Sequence, residues 1–122
     1  MTKKIMVVDD EQDIVELVKV ILQAKGFDVV TFDNARDAWA ELKKGNIPDL
    51  VLLDIRMPEM SGNDFCEKVE SDKRFKDMKI VVFTASIDLG VAFKEINNVA
   101  GFIAKPFDNK KLVNDLNKYL KD

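Results

Sequence analysis

Residues 5–10 read Ile5-Met6-Val7-Val8-Asp9-Asp10 and residues 50–54 read Leu50-Val51-Leu52-Leu53-Asp54, and these two stretches decide the fold. In each, an unbroken apolar run ends abruptly in carboxylate. Runs that are apolar at every position, not at alternate ones, suit strands buried on both faces, and such strands belong to parallel sheets covered by helices. Two later runs have the same form: Ile80-Val81-Val82-Phe83 leads into Thr84, and Phe102-Ile103-Ala104 leads into Lys105. Ligands of open α/β sheets bind outside the carboxyl ends of the strands. Acid, acid, hydroxyl and ammonium are therefore expected to gather along one edge of the sheet.

The segments between these runs alternate with them as helices. Ile14, Leu17, Val18, Ile21 and Leu22 follow helical spacing and stop at Gly26, a natural helix end. Phe27 to Phe32 alternates apolar and polar residues as an edge strand would. Asn34 and Asp37 form an N-terminal capping pair for a helix that carries Ala35, Ala38, Trp39 and Leu42 and ends at Gly45. Met57-Pro58-Glu59-Met60-Ser61-Gly62 reads as a loop, with its methionines packing it, before a helix around Phe65 and Val69. Ile87 to Val99 reads as a helix weakened by Gly90 and Asn97-Asn98. After Pro106, Asp108 is placed to cap a last helix with Leu112, Val113, Leu116, Tyr119 and Leu120 on one stripe. Five strands alternating with five helices imply a doubly wound α/β sheet with right-handed crossovers.

The composition bounds the function. With 122 residues, 47% of them hydrophobic, the chain suffices for one core, and a single domain over residues 1–122 is expected. A net charge of −3 gives no electrostatic reason for direct nucleic-acid binding. The lone Cys66 excludes an intramolecular disulfide and fits a reducing, cytoplasmic setting; with no histidine to activate it, it reads as a helix-interior residue. Lys3-Lys4 precedes only four apolar residues, too few for a signal sequence, and no segment is long enough to span a bilayer.

The segments KIMVVDDE, VLLDIRMPEMSG, VVFTA and GFIAKPF, in this order and spacing, closely resemble the receiver domain of two-component response regulators, over essentially the whole chain. The resemblance implies a flavodoxin-like sheet of order 2-1-3-4-5 with five helices on its two faces. It also implies transfer of a phosphoryl group from the phosphohistidine of a histidine kinase or phosphotransfer protein to an aspartate, followed by autodephosphorylation. Carried over by motif, Asp54 is the phosphoacceptor. Asp10 is a direct Mg²⁺ ligand, Asp9 a ligand mainly through water, and the Arg56 carbonyl a further ligand. Lys105 pairs with Asp54 and then with a phosphoryl oxygen, and Thr84 donates its hydroxyl to another. Arg56 and Ser86 border the path of the attacking water. Thr84 and Phe102 are the switch pair, reshaping a surface made by the segment 87–99, the last strand and the last helix. Glu11 is expected only to favour the first turn of its helix electrostatically.

The residue types suit this chemistry. A carboxylate meets a phosphoryl group of like charge, so a divalent cation with hard oxygen ligands must neutralise the pair. Singly, each aspartate also fits a turn or a cap, Thr84 a strand and Lys105 a solvated surface. Together, three carboxylates beside one lysine would repel each other without a cation or proton between them. A flavin-binding relative needs a Ser/Thr/Gly phosphate loop where this chain has Asp9-Asp10-Glu11, and a dehalogenase-type phosphatase needs a second Asp where Arg56 stands. With no histidine, the chain is neither the kinase nor the phosphohistidine carrier. Three readings remain: a free-standing receiver acting on a downstream effector or passing phosphate along a relay, with phosphorylation-dependent dimerisation one arrangement; a module of a longer regulator with a DNA-binding or enzymatic effector; and a stand-alone Mg²⁺-dependent phosphatase, disfavoured for want of a general acid.

Overall fold

In the computed structural model, which describes residues 2–54, 62–85, 93 and 95–121, three of the four apolar runs form the inner strands of one sheet and the fourth lies in an edge strand. Strands β1 (Lys4–Val8), β2 (Asp28–Phe32), β3 (Leu50–Leu53), β4 (Lys79–Thr84) and β5 (Val99–Ala104) are parallel and lie in the order β2-β1-β3-β4-β5. This is the expected flavodoxin-like order, and its two edges are the strands whose apolar runs are least continuous.

Alternate side chains divide the core in two. Met6, Val8, Val51, Leu53, Ile80 and Val82 point to one face, where they pack with Ala38 and Leu42 of α2 (Ala35–Lys43) and Phe65 and Val69 of α3 (Gly62–Glu70). Ile5, Val7, Leu50, Leu52, Val81 and Phe83 point to the other, against Val18 and Leu22 of α1 (Gln12–Ala24) and Leu112 and Leu116 of α4 (Asn109–Leu120). The period of two along a strand thus supplies both helical layers from a run with no polar position.

Local chemistry sets the helix ends. The Asn34 side chain accepts from the Asp37 backbone N–H at 2.7 Å while its own Nδ2 donates to Asp37 Oδ2 at 3.0 Å, closing the expected capping pair. Asp108 Oδ1 accepts from the N–H groups of Lys110 and Lys111, capping α4 as expected. Gly26 and Gly45 follow α1 and α2 at φ of 90° and 97°, a conformation that only glycine adopts cheaply.

The described residues contain four α-helices and a short 3₁₀ turn, Lys73–Phe75, where five helices were expected. The helix expected over Ile87–Val99 falls mostly outside the described residues. Within that stretch Phe93 and residues 95–98 form turns, and Val99 already belongs to β5. The 3₁₀ turn was not anticipated; it is capped by Asp72 and drives Phe75 fully into the core.

Candidate functional site

The ends of β1, β3 and β4 meet above the sheet because their registers are aligned: Val8 pairs with Leu53, and Leu53 with Val82. The ladder runs on past the strands, with the Asp54 N–H donating to the Val8 carbonyl at 2.9 Å and the Asp9 N–H to the Phe32 carbonyl at 3.1 Å. Asp9 and Asp54 are therefore held by backbone bonds at adjacent strand ends, and both are buried. Thr84 ends β4 in full burial, and its carbonyl accepts from the Lys105 N–H at 2.8 Å, which brings the lysine to the same edge.

Lys105 fills the middle of this edge. Its Nζ lies 2.7 Å from Asp9 Oδ2, 3.1 Å from Glu11 Oε1 and 3.5 Å from Asp54 Oδ2, and 4.9 Å from the centre of the Phe83 ring. Burial by itself would lower the lysine pKa. The hydrogen bond to Asp9, the charges of Asp9 and Asp54, and the bond to Glu11 outweigh that effect and hold it above the usual value. The other Asp9 oxygen, Oδ1, accepts from the Glu11 backbone N–H at 2.9 Å. The Asp9 carboxylate is thus fixed in orientation by one partner on each oxygen.

One oxygen each from Asp9, Glu11 and Asp54 lies within 4.8 Å of the others, a spacing that a cation with oxygen ligands can bridge. Among the described residues three carboxylates meet one ammonium here, an excess of negative charge that a bound cation would offset. The structure thus brings together Asp9, Asp54, Thr84 and Lys105, and adds Glu11. Asp10, expected as a direct ligand, is exposed and outside this group of carboxylates. Phe102 is half-buried in β5, paired with Val82 and packed on the α2–α3 side of the core. Arg56, Met57, Met60, Ser86 and Gly90 lie outside the described residues. Glu11 carried no distinguishing sequence signal, because a glutamate opening a helix is ordinary; its place beside Lys105 comes from the segments that follow β1 and β5 at the same edge of the sheet.

Known proteins agree with this architecture. The model of the response regulator receiver domain matches residues 5–117, so the chain belongs to that family. The DNA-binding response regulator MtrA of Mycolicibacterium paratuberculosis is 30% identical over 113 residues, which are 93% of this chain and 49% of that protein. Hybrid signal transduction histidine kinase D of Dictyostelium discoideum is 31% identical over 110 residues, covering 89% of this chain and 7% of that one. The chain therefore spans about half the length, or less, of these curated relatives. Among solved structures, the chemotaxis response regulator CheY4 of Vibrio cholerae superposes with a TM-score of 0.89 at 28% identity, covering 98% of this chain and 99% of that one. The chain is a receiver domain of the kind that two-component response regulators carry. Among the described residues no helix is long and apolar enough to cross a membrane.

Proposed function

We propose that Asp54 accepts a phosphoryl group from the phosphohistidine of a histidine kinase or phosphotransfer protein. The observation that carries this reading is the buried Asp54 carboxylate at the end of β3, faced by Lys105 and by the β1 carboxylates. In the transfer, the phosphorus–nitrogen bond of the donor breaks and a phosphorus–oxygen bond to Asp54 forms. In hydrolysis, water adds to phosphorus, orthophosphate leaves and the carboxylate returns.

The donor set fits Mg²⁺: all its side-chain ligand atoms are carboxylate oxygens, close enough to share one small ion and in surplus over the one ammonium. Of this group Asp9 and Asp54 would hold it, and the family motif alone adds Asp10, which lies outside the group, and the Arg56 carbonyl as further ligands. When bound, the ion supplies neutralisation of the negative charge shared by nucleophile and phosphoryl group. Lys105 binds a phosphoryl oxygen as an ammonium donor and the Thr84 hydroxyl donates to another, charge-assisted bonds that orient the group. Thr84 and Phe102 then couple phosphorylation to the surface around β5 and α4. Residues 1–122 act as one receiver in the cytoplasm, and their output is contact with an effector protein; the superposition with CheY4 over 99% of that chain supports the reading of one receiver.

Incubation with autophosphorylated histidine kinases and phosphotransfer proteins in the presence of Mg²⁺ tests the reading. Label is expected to pass from at least one donor to this chain in an acid-stable, base-labile form. Absence of transfer from every donor, and from acetyl phosphate as well, would overturn it.

A further inference from the structure

We propose that Glu11 is a positioning residue that takes over Lys105 when a divalent cation enters the site, so that ammonium and metal change places instead of competing for Asp9. The inference rests on the metal-dependent reading given above and assigns a role within that same site.

Three observations carry it. First, Lys105 occupies the position a metal needs. Its shortest ion pair, 2.7 Å, is with Asp9 Oδ2, while Asp9 Oδ1 is already engaged by the Glu11 N–H at 2.9 Å. A cation drawn to Asp9 Oδ2 meets the Lys105 ammonium there and is repelled by it. Second, among the described residues Glu11 is the one carboxylate partner of Lys105 that is exposed enough to follow it outward. The Asp9 and Asp54 side chains are 0% and 7% exposed, whereas that of Glu11 is 60% exposed. Third, Glu11 occupies the N-cap of α1 with extended backbone, φ −88° and ψ 101°, yet its side chain makes no capping bond. Short Ser, Thr, Asp and Asn side chains cap at this position, and the longer glutamate is left to reach elsewhere. The Glu11 carboxylate reaches Lys105 at 3.1 Å instead.

The consequence follows from charge. A divalent ion on Asp9 and Asp54 removes two of the three carboxylates that neutralise the Lys105 ammonium. With Glu11 present the ammonium retains an anionic partner at the rim, from which it reaches a phosphoryl oxygen on Asp54 by rotation of its own stem. Without Glu11 the ammonium either stays on Asp9 and opposes the metal or is left unpaired above the Phe83 ring. A carboxylate at position 11 thus assists metal binding without being a ligand.

A double-mutant cycle separates this role from direct ligation. Mg²⁺ affinity is measured by calorimetric titration for the wild type, Glu11→Gln, Lys105→Met and the double variant; methionine keeps most of the lysine stem and removes the charge. Glu11→Gln is expected to weaken Mg²⁺ roughly three- to fivefold in the wild-type background, the scale of a partly exposed ion pair, and to have no measurable effect when residue 105 is uncharged. The ¹⁵Nζ signal of Lys105 gives a second readout. In Mg²⁺-saturated wild type it persists because the ammonium is paired, and in saturated Glu11→Gln it is lost to exchange with water. An equal loss of affinity in both backgrounds would mean that Glu11 acts on the metal itself, as a ligand or through its charge, and no loss in either would make it a bystander; both overturn the inference. Failure of the wild type to bind Mg²⁺ at all would overturn the underlying metal site and, with it, the exchange.

Discussion

The phenol ring of Tyr119, on α4, lies so close over Gly101, in β5, that a Cβ on the glycine would collide with Cζ, Oη and Cε1 of the ring. The last helix is seated on the edge strand through the absence of a side chain. Beside this contact the Lys79 ammonium donates to the Tyr119 carbonyl at 2.6 Å and the Lys121 carbonyl at 3.0 Å, tying the end of α4 to the start of β4. Gly101→Ala must displace the ring, and overpacking of this kind costs about 1–3 kcal/mol. Urea unfolding is expected to show that loss, and Tyr119→Leu in the same chain is expected to recover part of it. A Gly101→Ala variant as stable as wild type would mean that the ring has room to move.

Asn98 is buried, and its Nδ2 donates to the carbonyls of Phe75 at 2.7 Å and Met78 at 2.8 Å. It therefore clamps the turn before β5 to the 3₁₀ turn. Asn98→Leu removes the donor; the Phe75 carbonyl keeps the Met78 N–H at 3.0 Å, and for the bond lost at the Met78 carbonyl the cost should be about 1–3 kcal/mol. The same substitution is expected to increase hydrogen exchange at Ile80, whose N–H donates to the Asn98 carbonyl at 2.8 Å.

Burial pushes the Cys66 thiol up to about 12, with the charges of Glu70 and Glu67 adding to the effect. In the unfolded chain the thiol titrates near 8.5, so between these values the folded state binds the extra proton. Stability from this group is complete below about pH 8.5 and declines as pH rises toward 12. At pH 8 the native protein is expected to resist thiol reagents, with reaction only at the rate of unfolding. Cys66→Ala should flatten the alkaline fall in stability measured by denaturant titration. An unchanged fall would assign it to other groups.

The parallel, helix-covered sheet was legible because the runs of β1, β3 and β4 are apolar at every position and end in polar residues, while the order of its strands came from the resemblance to receiver domains. The caps at Asn34 and Asp108 were legible for an equally local reason, since their bonds reach only two or three residues along the chain. The 3₁₀ turn at Lys73–Phe75 was not, because one buried phenylalanine in a charged stretch carries no period. The gathering of Asp9, Asp54, Thr84 and Lys105 followed from strand ends alone. The part played by Glu11 did not: a residue 94 positions from Lys105 becomes its neighbour only once β1 and β5 share a sheet.

Mg²⁺ should stabilise the protein by linkage, by about 2.7 kcal/mol at a concentration one hundred times its dissociation constant. Thermal melts with and without the ion are expected to show a raised midpoint in the wild type and none in Asp54→Asn. A shift of equal size in the variant would place the ion elsewhere.

Phosphorylation is expected to act as a partial population shift at the surface around Phe102. A shift from 1:99 to 99:1 needs about 5.5 kcal/mol of differential stabilisation, and new bonds to Thr84 and Lys105 supply a few kcal/mol. Hydrogen exchange with and without beryllofluoride should change in residues 87–105 and in α4. Changes confined to the neighbourhood of Asp54 would assign the chain to carrying phosphate in a relay.

The central claim is that Asp54 alone accepts the phosphoryl group. Its most direct test is intact-protein mass spectrometry after incubation with acetyl phosphate and Mg²⁺, comparing wild type with Asp54→Asn, which keeps the side-chain shape and removes the nucleophile. One phosphoryl adduct in the wild type and none in the variant is the predicted result; full labelling of the variant would contradict the account.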